Sequence, residues 1–134
     1  MFDCSLVTTP TEYQKVISKN TSESKPDDIK HYQQLIGSLI YAVMGTQPDL
    51  TYVIIKLFQY MTNPSAVYLG AAKQVLRFLK GTRDQKLCYQ YGQPLVLEGF
   101  VDSDFAGCRD TRRSTSGYIF QLEQATICWK SQKQ

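Results

Sequence analysis

The sequence predicts an α+β chain in which a three-helix antiparallel unit is followed by a small antiparallel sheet. Apolar residues recur at helical spacing from Leu35 to Leu79, the period changes to two after Arg83-Asp84, and turn-forming residues separate the later apolar runs. At 134 residues with 43% hydrophobic side chains, the chain is long enough for one compact domain, or for a helical unit joined to part of a second.

Residues 1–27 are rich in Thr, Ser, Lys and Pro, with Pro10 and Pro26 as breakers, and read as a flexible leader. The helical unit occupies residues 28–84. Its first helix runs from Asp28 to about Gly45, with Leu35, Ile36, Leu39, Ile40 and Val43 on one face and with Gly37 and Ser38 permitting close helix contact. Thr46-Gln-Pro-Asp49 then supplies a capping hydroxyl, a proline suited to the first turn and an acid favourable to the helix dipole. The second helix carries Leu50, Val53, Ile54, Leu57, Phe58 and Met61, until Asn63-Pro64 stops it. Ser65 caps the third, with Leu69, Ala72, Leu76 and Leu79 facing inward and Gly81 as a left-handed stop. Residues 85–134 form the sheet, from apolar runs at 87–91, 95–101, 117–122 and 125–129.

Composition narrows the function classes. Fifteen Lys and Arg against 12 Asp and Glu give a mildly basic balance that compels neither a nucleic-acid nor a membrane partner. The longest apolar stretches are interrupted by Gly45, Gln47 and Asp49 or by Lys56 and Gln59, so no membrane span is expected and the chain reads as soluble. Met1-Phe-Asp carries an acid where a signal peptide wants a base, so no secretory signal is visible. Cys4, Cys88, Cys108 and Cys128 are scattered and far from His31, which argues against zinc and for buried free thiols. No cofactor is implied.

The chemistry-bearing stretch is Gly99-Phe-Val-Asp-Ser-Asp-Phe-Ala-Gly107. Asp102 and Asp104 fall on one side of a strand if the strand reaches that far, and paired carboxylates hold the metal ions of two-metal nucleases. Spacing alone favours turn formers at a strand end, because the remaining acids downstream, Asp110 and Glu123, fall in a loop and a tight turn. Arg109, Arg112 and Arg113 form a basic loop beside the acids, and Lys73, Arg77 and Lys80 lie along one side of the third helix as candidate phosphate or partner contacts. Tyr68, Phe78 and Tyr89 read as core rather than as stacking platforms, and a solvated face is the blander account of the charges. Arg77-Phe-Leu-Lys80 has an outward likeness to an Arg-x-Leu-Arg motif, but Leu79 belongs to the apolar stripe.

Six segments together resemble a known family. They are Tyr32-Gln-Gln-Leu-Ile-Gly-Ser-Leu-Ile-Tyr41, Thr46-Gln-Pro-Asp-Leu50, Ala71-Ala-Lys-Gln-Val-Leu-Arg-Phe-Leu-Lys-Gly81, Asp102-Ser-Asp-Phe-Ala-Gly107, Thr111-Arg-Arg-Ser-Thr-Ser-Gly-Tyr118 and Trp129-Lys-Ser-Gln-Lys-Gln134. In order and spacing they are similar to the Pol polyprotein of copia-type retrotransposons, from the end of the reverse transcriptase into ribonuclease H, over roughly the last hundred residues.

That resemblance implies that 97–103, 115–122 and 125–130 are the first three ribonuclease H strands and that Asp102 matches the first catalytic aspartate. The family's next catalytic glutamate lies on a helix beyond Gln134 and its polymerase aspartates upstream of Met1. The expectation is therefore an orphaned ligand, an incomplete catalytic set and no Mg2+-dependent cleavage. Stand-alone copia-like chains also resemble secreted RxLR-type effectors of oomycete plant pathogens, which implies an unknown host protein as partner, action inside the host cell, and suppression of immunity or cell death. An inert remnant, intracellular in the absence of a signal, is the alternative. Weak, non-specific nucleic-acid binding is a third expectation.

Overall fold

The computed structural model describes residues 5–11, 23–89, 91–92, 95–108 and 110–134. Cys4, Arg109, most of the leader and part of the 87–91 run lie outside them. The described chain holds three α-helices followed by a three-stranded antiparallel sheet, an α+β arrangement with two compact units that divide after Gln85.

Helix α1 spans Pro26–Thr46. It starts earlier than residue 28 because Pro26 occupies the first helical position, where its missing N–H would be unpaired anyway, and Asp27 and Asp28 follow in the first turn. Just before it, Ser24 is anchored: its backbone N–H donates to Asn63 Oδ1 at 3.0 Å and its hydroxyl to the same oxygen at 2.8 Å. Thr46 ends this helix instead of capping the next, since its hydroxyl donates back to the Ala42 carbonyl.

Pro48–Leu50 then form a single 3-10 turn leading into α2, Thr51–Phe58. The helix is shorter than its apolar pattern, because Tyr60 and Met61 N–H groups turn to Leu57 and Phe58 carbonyls at i−3 spacing. Helix α3 spans Ala66–Gly81, with Ser65 at the N-cap position but making no side-chain cap bond. Gly81 stays helical and Thr82 is the C-cap, at φ −112°, so no left-handed stop is made.

The core of this unit is Tyr32, Ile36, Leu39 and Val43 of α1, Leu50, Ile54 and Leu57, and Tyr68, Ala71, Ala72 and Val75 of α3. Each large apolar member stabilises the fold by about 1.5–3 kcal/mol on burial. The α3 stripe is rotated from the expected one: Leu69, Leu76 and Leu79 are half-buried, while Tyr68 and Val75 are enclosed. Phe58 and Gly37 face solvent, and nothing lies within 4 Å of where a Gly37 side chain would start. Tyr32 donates its hydroxyl to the Leu57 carbonyl at 2.9 Å, the same carbonyl that accepts from the Tyr60 N–H at the end of α2. Tyr68 stacks on Tyr60 with ring centroids 4.6 Å apart.

The sheet comprises β1 (Leu97–Ser103), β2 (Thr115–Leu122) and β3 (Ala125–Lys133), in the order β1-β2-β3. The 87–89 stretch is not a strand; Tyr89 is exposed and its hydroxyl donates to the Thr126 carbonyl at 2.7 Å. Leu97 pairs with Leu122 and Asp102 with Gly117, and β2 pairs with β3 with a shift at Phe120/Gln121. Glu123 and Gln124 both take positive φ, 53° and 68°, which makes the β2–β3 connection a type I′ turn without glycine. At Gly99 the Phe120 ring lies across the position a Cβ would fill, 2.7 Å from its Cε1, so any larger residue would push the ring aside. Every residue of β1 is exposed, Leu97 and Val101 at 63% and 77% among them. No helix among the described residues is long and apolar enough to cross a membrane.

Candidate functional site

The acidic stretch divides between two environments. Asp102 is the penultimate residue of β1, exposed, opposite Gly117. Asp104 has already left the strand. Its backbone N–H donates to the Thr115 carbonyl at 3.0 Å and its Oδ1 accepts from the Thr115 N–H at 2.5 Å. A Cβ at Gly107 would collide with this carboxylate, so the Asp-x-x-Gly spacing makes room for a loop-closing side chain.

The rest of the loop is built the same way. Ala106 N–H donates to Ser114 Oγ at 3.2 Å, Cys108 N–H to the Arg113 carbonyl at 3.1 Å and Arg112 N–H to the Cys108 carbonyl at 2.7 Å. Ala106 and Arg112 adopt left-handed backbone, φ 52° and 54°. Much of the Asp102-to-Ser114 pattern is thus accounted for by the geometry of one ordered connection.

A two-metal centre does not fit these residues. Glu98 shares Asp102's face of the sheet but stands four positions back, about 13 Å at strand rise, whereas paired ions sit about 4 Å apart and share carboxylates. Asp104 is committed to Thr115. Among the described residues, no group of three or more His, Cys, Asp or Glu side chains could hold a metal ion.

The basic residues fall into two sets, one in each unit. Lys73, Arg77 and Lys80 are exposed on one side of α3, at i, i+4 and i+7. Arg112 and Arg113 are exposed in the β1–β2 loop. In the helical unit, a cavity of about 400 Å³ is lined by Glu23, Ser24, Lys25, Asp28, Tyr32 and Leu69 among others, with charges of both signs.

Two features were not among the sequence candidates. Tyr32 is enclosed, and burial first, then the neighbouring Tyr68, pushes its phenol far above the ordinary value of 10.0. Cys108 is buried against Lys133, 25 positions away, a contact that only the closed hairpin brings about. Cys88 and Cys128 are exposed free thiols, contrary to the expectation of burial.

No protein-family model matches the chain, and no solved structure matches it. Full-length relatives do. The chain is 35% identical over 121 residues to the retrovirus-related Pol polyprotein from transposon TNT 1-94 of Nicotiana tabacum, covering 90% of this chain and 9% of that protein. It is 38% identical over 128 residues to the Pol polyprotein from transposon RE2 of Arabidopsis thaliana, again 9% of the relative's length. The chain thus spans about a tenth of these polyproteins. It is also 36% identical over 103 residues to secreted RxLR effector protein 161 of Plasmopara viticola, with 77% of this chain and 72% of that protein aligned. Identity of this order over most of the chain, to the polyproteins and to a protein of comparable length alike, shows that the chain belongs to the family of copia-type retrotransposon Pol proteins.

Proposed function

We propose that this chain is non-catalytic and acts by binding, most concretely as a secreted plant-pathogen effector that suppresses host cell death or immunity. The observation that carries the non-catalytic part is the fate of the two aspartates. Asp104 is spent on the Thr115 N–H, and Asp102 stands exposed on β1, with no group of three or more metal-ligating side chains among the described residues.

The effector part is supported by likeness to a relative named as a secreted RxLR effector, 36% identical over 103 residues. A surface suited to a host protein is available on the sheet, where Leu97 and Val101 stand exposed on one face of β1. Expression in leaf tissue challenged with a death-inducing elicitor tests this reading. Suppressed death with the intact chain, retained by Asp102→Asn and lost with Val101→Asp, is the expected result. Normal death in tissue that accumulates the protein overturns it.

The second reading is a segment of reverse transcriptase and ribonuclease H, or an inert remnant, without independent activity; the matches to the transposon polyproteins favour it. Transcripts that carry further Pol sequence in frame with this segment would establish it. In either case, contacts of Lys73, Arg77, Lys80, Arg112 and Arg113 with nucleic acid are electrostatic, so binding falls steeply with salt.

A further inference from the structure

Cys108 lies where the β1–β2 loop folds back over the end of the sheet. The residue is 4% exposed, and its sulfur sits 2.9 Å from Lys133 Nζ near the end of β3. Burial by itself raises the thiol's pKa. The Lys133 ammonium, the Thr111 hydroxyl and the backbone N–H groups of Thr111 and Asp110 outweigh burial and bring it down to about 7, from an ordinary 9.0. Near neutral pH much of Cys108 is therefore thiolate, the nucleophilic form.

A second observation points to a small guest at the same place. Thr115 is directly opposite Lys133 in the β2–β3 ladder, so the two side chains leave the sheet on the same face as neighbours. Thr115 is 6% exposed, and its hydroxyl has no hydrogen-bond partner among the described residues. Leaving a buried hydroxyl unsatisfied is costly. Beside a thiolate and an ammonium, it offers a donor and an acceptor to a molecule the size of hydrogen peroxide.

We propose that Cys108 and Lys133 form a peroxide-driven covalent switch, a sulfur–nitrogen bridge that staples the β1–β2 loop to the end of β3. In the first step the Cys108 thiolate attacks one peroxide oxygen. The S–O bond forms, the O–O bond breaks and the departing hydroxide takes a proton to become water. The sulfur loses two electrons and the peroxide gains them, leaving sulfenic acid. In the second step the Lys133 amine, having given up its ammonium proton, attacks that sulfur. The N–S bond forms, the S–O bond breaks, and the leaving hydroxide takes the amine proton to give a second water. Overall, one thiol, one amine and one peroxide give one bridge and two waters.

A cysteine that merely caps its own turn, as Ser or Asp would, accounts for the Asp110 and Thr111 donors. It does not account for an amine on a distant strand at contact distance, nor for the unsatisfied hydroxyl of the residue paired with that lysine in the ladder. The bridge would close the chain between residues 108 and 133 and hold all three strands at one end.

The test is treatment of the 134-residue chain with stoichiometric hydrogen peroxide, followed by peptide mapping by mass spectrometry. The expected product joins the Cys108 and Lys133 peptides, lacks two hydrogens relative to their sum and is released by dithiothreitol. Lys133→Arg keeps the cation but removes the nucleophilic amine, so Cys108 should stop at sulfenic acid, trapped by dimedone, with no bridge. Thr115→Val should slow oxidation of Cys108 severalfold. Recovery of Cys108 as free thiol while the exposed Cys88 and Cys128 oxidise overturns the proposal. So does a disulfide from Cys108 to another cysteine, an unchanged product in Lys133→Arg, or an unchanged rate in Thr115→Val.

Discussion

The helical unit and the sheet unit are held by different physics. The helices enclose Tyr32, Ile36, Leu39, Ile54, Leu57, Tyr68 and Val75 in one continuous apolar core. Among the described residues, the buried ones of the sheet unit are Cys108, Thr115, Ala125 and Thr126, small or polar, while Leu97, Phe100 and Val101 face solvent. The first unit is stabilised by hydrophobic burial. The second relies on ladder hydrogen bonds and the hydrogen-bonded loop between β1 and β2.

Core truncation should separate the units most widely. Ile54→Ala is expected to cost about 2–5 kcal/mol, read as loss of helical circular dichroism at lower denaturant, whereas Val101→Ala should change stability by no more than about 0.5 kcal/mol. Equal effects would break the comparison. Within the sheet unit, Asp104→Ala should cost about 1–3 kcal/mol by stripping the Thr115 N–H of its acceptor. Asp102→Ala should be nearly silent in the same unfolding assay, because that side chain is exposed at the strand edge. Replacing Glu123-Gln124 by Asn-Gly removes two strained left-handed residues from the type I′ turn and should raise sheet stability by about 0.5–1 kcal/mol.

pH also separates the two units, with opposite signs. Cys108 has a folded pKa below its ordinary one, so its contribution is full above 9.0 and is lost as pH falls through about 7; Cys108→Ser should flatten that slope. Tyr32 has a folded pKa above its ordinary one, so its contribution is full below 10.0 and is lost only in stronger alkali. Unfolding monitored separately in the two units between neutral and alkaline pH should therefore show the sheet unit gaining stability first and the helical unit losing it later.

Local periodicity made the three helices and the last three strands readable, because 3.6- and 2-residue repeats are properties of neighbouring residues. What it left out depends on distant partners. Tyr32 carries a polar hydroxyl and looks amphipathic until the Leu57 carbonyl is there to receive it. The α3 core stripe turned toward Tyr68, Ala71 and Val75 rather than Leu76 and Leu79, because small alanines and a stacked tyrosine pair, not leucine spacing, set the approach. Gly81 looked like a left-handed stop and stayed helical.

The candidate site was legible in the same uneven way. Turn-forming character was readable for both aspartates, yet only Asp104 uses it, since the strand ends at Ser103 and frees Asp104 to reach back to Thr115. The pairing of Cys108 with Lys133 left no local trace, because it arises only when the hairpin closes.

We propose that Asp102 is an orphaned ligand, without the partner acids a two-metal site needs. Incubation of the purified chain with a labelled RNA–DNA hybrid and Mg2+ tests it most directly. No cleavage above the buffer background, and no difference between the chain and Asp102→Asn, is the predicted result. Cleavage that is robust in the chain and abolished in Asp102→Asn would contradict it.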